Sequence, residues 1–340
     1  MKHFRKLIYF LLVLCFTTVL AQGATCSTLV QQAMTAVQTT CASTGRNQAC
    51  YGYVSLQATP RTGVQNFNFA KAGDLANVAD LASLQLTPLD AAKNTWGIVM
   101  MKLQANLPDT LPGENVTFLM FGDVQIQNAV PSDAATPEAS ADPKALHPMQ
   151  AFYFKTGIGK TTCAGAPADG LLIQTPKGAG QISLRANNVD IRLGSTAYLQ
   201  AQPGANMRVE VVEGEGHLTA NHKTVDIPAG SEVDVPLGDD LNADGAPTDP
   251  FAYDEADVVD LPISDLPDEF TVAPPADAEE IQAAIQEGET ETSQQTDIQA
   301  PDESSGTDLS GNTDTSGDIQ PTDAGADQSS GDNGSDSSGG

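Results

Sequence analysis

The amino-acid sequence predicts a mainly β protein: a sandwich, roll or short solenoid of short strands, with a disulfide-tied N-terminal helix and a disordered acidic C-terminal tail. Three observations predict this class. Short apolar runs separated by Gly, Pro, Asn and Asp fill the middle of the 340-residue chain. Four cysteines follow the apolar N-terminal stretch. Of the 44 acidic residues, 30 lie after Lys223, where neither Lys nor Arg occurs.

Residues 1–23 are predicted to be a signal peptide. A positively charged start precedes an apolar stretch from Leu7 to Leu20, which is short for a transmembrane span. Small residues follow, so we expect cleavage before Ala24; cleavage after Ala21 and an uncleaved anchor are the alternatives. The mature protein is therefore expected to be secreted or extracytoplasmic, in the periplasm or at the cell surface.

The cysteines that remain after cleavage are Cys26, Cys41, Cys50 and Cys163, an even number that favours two disulfides in an exported protein. The stretch from Cys26 to Cys41 has the apolar spacing of one amphipathic helix. Its two ends would lie roughly 22 Å apart, beyond disulfide reach. We therefore favour Cys41–Cys50 with Cys26–Cys163. The remaining pairing, Cys26–Cys50 with Cys41–Cys163, stays open. Metal binding also stays open, although none of the cysteine spacings is typical of a zinc site.

The mature chain divides into segments of different composition. Residues 24–130 hold the helix and a first β region, residues 131–148 form a linker or long loop rich in Ala, Pro, Ser and Asp, and residues 149–238 form a β domain. Strand-like runs occupy 51–58, 78–86, 96–103, 116–126, 151–154, 171–174, 181–184, 189–193, 197–200, 207–212, 217–220, 224–227 and 231–235. Such dense spacing leaves no room for the helices of a parallel βαβ sheet.

Four short motifs follow one another between Gly170 and Leu237. They are Ile173-Gln174-Thr175-Pro176, Leu193-Gly194-Ser195-Thr196-Ala197-Tyr198, Val209-Glu210-Val211-Val212-Glu213-Gly214 and Ile227-Pro228-Ala229-Gly230-Ser231-Glu232-Val233. In this order they resemble the second half of FecR-like domains. The resemblance implies a β fold and an envelope address. The best-known member relays an iron-siderophore signal to a sigma factor through a transmembrane helix and a cytoplasmic segment, and the sequence predicts neither part here.

The C-terminal third is predicted to contain little packed structure. Residues 239–277 form an acidic, Pro-rich segment, and residues 278–340 form a disordered acidic tail, which a short helix over 276–286 interrupts. Because the tail has hardly any large apolar residue, burial cannot offset the entropy of ordering it, and we expect its deletion to leave the body stable. A partner nucleic acid is excluded, because the net charge of −28 has the wrong sign for binding phosphates.

Two motifs suggest ligands without completing a known site. Gly157-Ile158-Gly159-Lys160-Thr161-Thr162 is similar to a phosphate loop, but Phe154 stands where the first Gly is required, so we expect a plain turn. Asp240-Leu241-Asn242-Ala243-Asp244-Gly245 matches the first half of a calcium loop, but Phe251 stands where a bidentate acid is needed. We expect an ordinary Asp/Gly loop there.

No catalytic, cofactor or metal site is predicted. His147 lies in the linker, and His217 and His222 lie in a predicted hairpin without a nucleophile motif. The sequence therefore predicts a non-enzymatic extracytoplasmic FecR-like β module that binds or scaffolds an envelope or extracellular protein or glycan. A calcium- or glycan-binding adhesion protein is the alternative, and a secreted hydrolase with acids from distant strands is the third possibility.

Overall fold

Two facing β-sheets make up the body of the protein. The computed structural model describes residues 22–104, 115–131, 146–157, 163, 165–178 and 180–298. Within these residues the chain forms a nine-stranded sheet and an eight-stranded sheet with one apolar core between them. The predicted mainly β class is confirmed, and of the predicted architectures this arrangement is the sandwich.

Short strands connected by tight turns account for most of the described chain. The helices are α1 (Gln22–Thr40), α2 (Glu255–Val258) and α3 (Ala278–Ile298). The strands are β1 (Gln48–Tyr53), β2 (Leu56–Pro60), β3 (Leu75–Asn77), β4 (Leu81–Leu86), β5 (Ile98–Gln104), β6 (Asn115–Phe121), β7 (Val124–Asn128), β8 (Ala151–Thr156), β9 (Gly170–Gln174), β10 (Ile182–Ala186), β11 (Val189–Leu193), β12 (Thr196–Ala201), β13 (Asn206–Glu213), β14 (Glu215–Ala220), β15 (Lys223–Pro228), β16 (Ser231–Pro236) and β17 (Phe251–Ala252).

The chain passes repeatedly from one sheet to the other. The nine-stranded sheet has the order β17-β16-β13-β12-β9-β6-β5-β1-β3, and the eight-stranded sheet has the order β15-β14-β11-β10-β8-β7-β4-β2. Neighbouring strands are antiparallel except β8 and β10, which are parallel. Both sheets contain strands from residues 24–130 and from residues 149–238, because β6 pairs with β9 and β7 pairs with β8. The two segments that composition separated therefore share one sandwich.

Alternation of side chains explains the core between the sheets. In β10, Ile182 and Leu184 point inward while Ser183 and Arg185 face solvent, and β11 repeats this pattern. The nine-stranded sheet behaves differently, because its strands are buried on both faces. Strands such as β6 and β9 therefore have continuous apolar runs. Such runs are typical of parallel sheets, but they occur in this antiparallel sheet because both of its faces are covered.

A second apolar layer covers the outer face of the nine-stranded sheet. From one side, Ala33 and Val37 of α1 pack on this face. From the other side, the segment 251–276, which we call the strap, contributes Tyr253, Val258 and Leu266. The molecule thus has three layers: the eight-stranded sheet, the nine-stranded sheet, and a cover made of α1 and the strap.

Two disulfides attach α1 to the sheets. Cys41 at the end of the helix is bonded to Cys50 in β1, and Cys26 near its start is bonded to Cys163 between β8 and β9. In each pair the Cα atoms are 5.7 Å apart. This is the pairing that the sequence favoured, and α1 runs without a break between Cys26 and Thr40, as the distance argument required.

Two predicted strands are each divided between the sheets. The run 51–58 becomes β1 and β2, with a turn at Ser55, where φ is 81°. The run 116–126 becomes β6 and β7, with a turn at Gly122, where φ is 85°. In both cases the chain crosses from the nine-stranded sheet to the eight-stranded sheet. Periodicity continues across such a turn, so it does not reveal the change of sheet.

The C-terminal helix is longer than predicted. α3 extends from Ala278 to Ile298, so the first 21 residues of the predicted disordered tail are helical. Residues 299–340 lie outside the described residues, as does the predicted signal peptide apart from Gln22 and Gly23, which begin α1. Within the described chain, no helix combines the length and apolarity needed to cross a bilayer.

Candidate functional site

A groove of about 390 Å³ lies between β15 and α3, at the edge of the eight-stranded sheet. Its volume falls in the range of roughly 300–1,000 Å³ that is typical of ligand pockets. Nine residues line it: Lys223, Thr224, Val225, Asp249, Pro250, Ala284, Ile285, Gly288 and Glu289. We therefore regard it as the candidate binding site.

Helix α3 is positioned by its cap and by one glycine. The Asp277 carboxylate accepts hydrogen bonds from the backbone N–H groups of Glu279 and Glu280, and the Glu280 carboxylate accepts one from the N–H of Asp277. This reciprocal capping box begins the helix. Further along, a Cβ atom on Gly288 would lie only 3.2 Å from the carbonyl oxygen of Thr224, so glycine permits the close approach of α3 to β15.

The groove combines an apolar floor with a charged rim. Val225 and Ile285 contribute apolar surface from the strand and from the helix. At the rim, the Lys223 ammonium donates to Asp249 Oδ1 at 2.6 Å and to the carbonyl oxygen of Pro247 at 2.9 Å. The arrangement suits an elongated apolar group with a polar or charged end.

A histidine and an aspartate form a second polar group on the outer face of the same sheet. His217 on β14 and Asp226 on β15 are register partners, and His217 Nδ1 contacts the Asp226 carboxylate. The Gln181 amide nitrogen lies 2.6 Å from His217 Nε2 and 2.8 Å from a carboxylate oxygen of Glu215. With Nδ1 protonated, Nε2 accepts from the Gln181 amide. An amide therefore occupies the position that a nucleophile would take in a catalytic triad.

Two glutamates are buried side by side beneath the strap. Glu210 on β13 is paired in register with Glu232 on β16, and their exposed fractions are 0% and 3%. Among the described residues, no hydrogen-bond donor reaches either carboxylate oxygen of Glu210. Burial, followed by the charge of Glu232, raises the pKa of Glu210 to about 9. Glu210 therefore holds its proton at neutral pH.

Arg208 contacts both Glu232 of this pair and the neighbouring Asp234. Arg208 Nε lies 3.0 Å from Asp234 Oδ1, and Arg208 Nη2 lies 3.4 Å from Glu232 Oε1. Burial raises the pKa of Glu232, and the Arg208 charge opposes this effect. Nearby, burial together with the charges of Glu210 and Glu255 raises the pKa of Tyr253 to about 12.

The residues that the sequence singled out are dispersed. Burial lowers the pKa of His147, whose backbone N–H donates to Gln150. His222 lies in the turn between β14 and β15, with φ at 64°. In the calcium-like segment, Asp240 accepts hydrogen bonds from Asn242, as in an ordinary loop. In the part of the chain that the structure describes, no three His, Cys, Asp or Glu side chains group as metal ligands.

The phosphate-loop-like motif falls mostly outside the described residues. Its first residue, Gly157, ends the stretch that follows β8, and residues 158–162 are among those not described. The interpretation of this motif as a plain turn therefore stays a prediction.

Sequence reasoning missed both the groove and the buried glutamate pair. The groove depends on contact between β15 and a helix about 60 residues further along the chain. The motif Val209-Glu210-Val211 alternates correctly for a strand, and its Glu would face solvent if the strap were elsewhere. A signal was present in Gly288, an unusual residue in the middle of a helix.

No protein-family model and no curated protein matches the sequence. Two crystal structures of a "putative anti-sigma factor" from Parabacteroides distasonis ATCC 8503, at 1.65 and 2.50 Å resolution, resemble part of the chain. The first is 10% identical with a TM-score of 0.30, and the alignment covers 53% of this chain and 63% of that one. The second is 11% identical with a TM-score of 0.27, with coverages of 48% and 63%. The chain thus spans less than two thirds of these proteins, and a likeness at this level assigns neither fold family nor function.

Proposed function

We propose that the protein is a non-enzymatic, extracytoplasmic FecR-like β module whose groove between β15 and α3 binds a short segment of a partner protein. The segment would carry an apolar side chain next to a Lys or Arg. The observation that supports this proposal is the groove itself, with its apolar floor and acidic rim. The two disulfides are compatible with an oxidising compartment.

The chemistry of the groove favours a peptide over a glycan. Sugar rings commonly stack on exposed aromatic side chains, and none of the nine lining residues is aromatic. Trp96, the single tryptophan, is fully buried in the second apolar layer and offers no platform. Val225 and Ile285 instead provide aliphatic surface, which suits an apolar side chain.

Charge determines the second half of the proposed ligand. Asp249 and Glu289 line the groove, and the surrounding helix carries Glu279, Glu280 and Glu287. Lys223 and Asp249 neutralise each other in an ion pair, so the glutamates of α3 leave the local field negative. A basic side chain on the partner would therefore be steered toward the groove and an acidic one repelled.

A displayed library of random peptides, selected against the full-length protein, tests this proposal. Enriched peptides should contain an apolar residue beside Lys or Arg, and calorimetry should show binding of representative peptides. Ile285→Lys places a cation in the groove and should weaken that binding at least tenfold. Ala283→Lys makes the same change in charge at an exposed position on α3 and should leave binding unchanged.

Three results would contradict the proposal. Selection could yield no binding peptide, it could yield acidic peptides, or the two variants could weaken binding equally. Circular dichroism of both variants would show whether α3 is retained, so that a loss of binding in Ile285→Lys is assigned to the groove.

A further inference from the structure

The strap covers ionisable groups that the proposed binding function does not use. Glu210 and Glu232 project from the same face of β13 and β16 as Val212, which packs with Tyr253 and Val258 of the strap. The charged and titratable groups that act on the pair come from every neighbouring element. Arg208 on β13, Asp234 on β16 and Asp257 of the strap act on the two glutamates, and the Glu210 charge acts in turn on Tyr198 of β12 and Tyr253 of the strap.

Polar contacts with the body hold the strap at its two ends and at Asp268. At one end, the N–H of Tyr253 donates to the carbonyl oxygen of Gly230 at 3.3 Å. At the other end, the N–H groups of Ala273 and Ala276 donate to the carbonyl oxygens of Val212 and Gly230, at 2.9 and 2.8 Å. Between these ends, the Gln174 side chain donates to the carbonyl oxygen of Asp268 at 2.8 Å and accepts from the Asp268 N–H at 3.1 Å, and the Lys177 N–H donates to the Asp268 carboxylate at 3.2 Å. The rest of the strap packs on the sheet through apolar side chains such as those of Val258, Leu261 and Leu266.

Glu210 can lie buried beside Glu232 only while it is protonated. A protonated Glu210 is neutral, and Glu232 contacts Arg208 at 3.4 Å. If Glu210 loses its proton, two carboxylates face each other in a dry layer, and the Asp257 charge lies nearby. Arg208 is already shared with Asp234, so it cannot neutralise both. A buried charge without a partner is strongly destabilising.

We propose that the strap is a latch, held closed while Glu210 keeps its proton beside Glu232, and that alkaline solution releases it from the nine-stranded sheet while the sandwich stays folded. Opening lets water reach both carboxylates and separates them from Asp257. It also uncovers the apolar outer face of the sheet. The sandwich core on the opposite face of the sheet contains no residue of the strap.

The sign of the pH dependence follows from proton linkage. With the strap closed, the pKa of Glu210 is raised from 4.5 to about 9. The closed state therefore binds the proton more tightly than the open state, and its stability is complete below about pH 4.5. That stability falls as the pH rises and is lost as the pH passes about 9. The equilibrium constant for opening rises by about tenfold per pH unit within this window.

Hydrogen exchange followed by mass spectrometry on the full-length protein tests the latch. Exchange at pH 6, 7, 8 and 9, corrected for intrinsic rates, should show protection in strap peptides that decreases about tenfold per pH unit. Peptides from β10 and β11 should show no such decrease. In Glu210→Gln, the side chain is neutral at every pH, so protection of the strap should become independent of pH.

Two further variants complete the test. Glu232→Gln removes the charge that faces Glu210 and places a neutral amide beside it, so it should also abolish the slope above pH 7. Asp239→Asn removes an exposed carboxylate and should retain the wild-type slope. The proposal is overturned if strap protection in the wild type does not vary with pH, if β10 and β11 lose protection together with the strap, or if the slope persists in either glutamine variant.

Discussion

Gly230 shows how one residue determines the path of the strap. It lies between β15 and β16 with φ at +87°, a conformation that L side chains rarely adopt. A Cβ atom at this position would lie 2.2 Å from the carbonyl oxygen of Pro274 and 2.6 Å from the backbone nitrogen of Ala276. Glycine is therefore required at this position for two reasons: the turn needs a positive φ, and the strap lies too close to leave room for a Cβ atom.

Replacing Gly230 by Ala should destabilise the protein by about 3 kcal/mol, because backbone strain and a steric clash with the strap add together. Gly63→Ala is the matched control, since Gly63 has φ of +90° but no atom within 4 Å of the added Cβ. The control should cost about 1 kcal/mol from strain alone. Urea unfolding measures both values, and equal losses would show that the strap does not crowd Gly230.

The Glu210 position also shows what local pattern leaves undecided. Val209 and Val211 face the sandwich core, so alternation places Glu210 on the opposite face. Burial of the Glu210 carboxyl arises only because the strap, more than 40 residues later in the chain, lies on that face.

Among the secondary-structure elements, α3 has the clearest structural role. β15 is the last strand of the eight-stranded sheet, and α3 packs beside it, with Ala284 buried and Gly288 close to the backbone of Thr224. An exposed edge strand can pair with another chain, and a helix that covers the edge prevents this. The start of the predicted disordered tail is therefore part of the folded body.

Two truncations distinguish the contribution of α3 to stability from that of the rest of the tail. Removing residues 299–340 should shift the thermal unfolding midpoint by no more than about 1 °C, because composition predicts no packing there. Removing residues 278–340 should lower stability by about 1–3 kcal/mol, since the apolar surface of Val225 on β15 loses the cover that α3 provides. Scanning calorimetry measures both. Equal midpoints would mean that α3 does not stabilise the sheet edge.

Over the whole molecule, the two disulfides restrict the unfolded chain to different extents. Cys41–Cys50 closes a separation of 9 residues, whereas Cys26–Cys163 closes a separation of 137 residues. In the chain-entropy account, the stabilisation grows with the logarithm of the closed loop. The long-range bridge also connects α1 to the segment before β9, and so joins the cover to the sandwich.

Replacing both cysteines of one bridge by serine should therefore have unequal effects. Loss of Cys41–Cys50 is expected to cost about 3 kcal/mol, and loss of Cys26–Cys163 about 5 kcal/mol, in the chain-entropy account. Denaturant unfolding of the two double variants measures the difference. A larger loss for the short bridge would mean that local strain or packing outweighs loop entropy.

By itself, the sequence determined most of the strands, the N-terminal helix and the exclusion of a Cys26–Cys41 bridge. Side-chain alternation and turn residues are local, and helix length alone separates Cys26 from Cys41. Only the tertiary structure decided which sheet each strand joins, what covers the outer face of the nine-stranded sheet, and where α3 packs. The buried Glu210 and the groove at Ile285 both depend on these contacts. Periodicity specifies which way a side chain points. Whether that side chain is buried depends on residues that are distant in the chain, and a local sequence pattern contains no information about those residues.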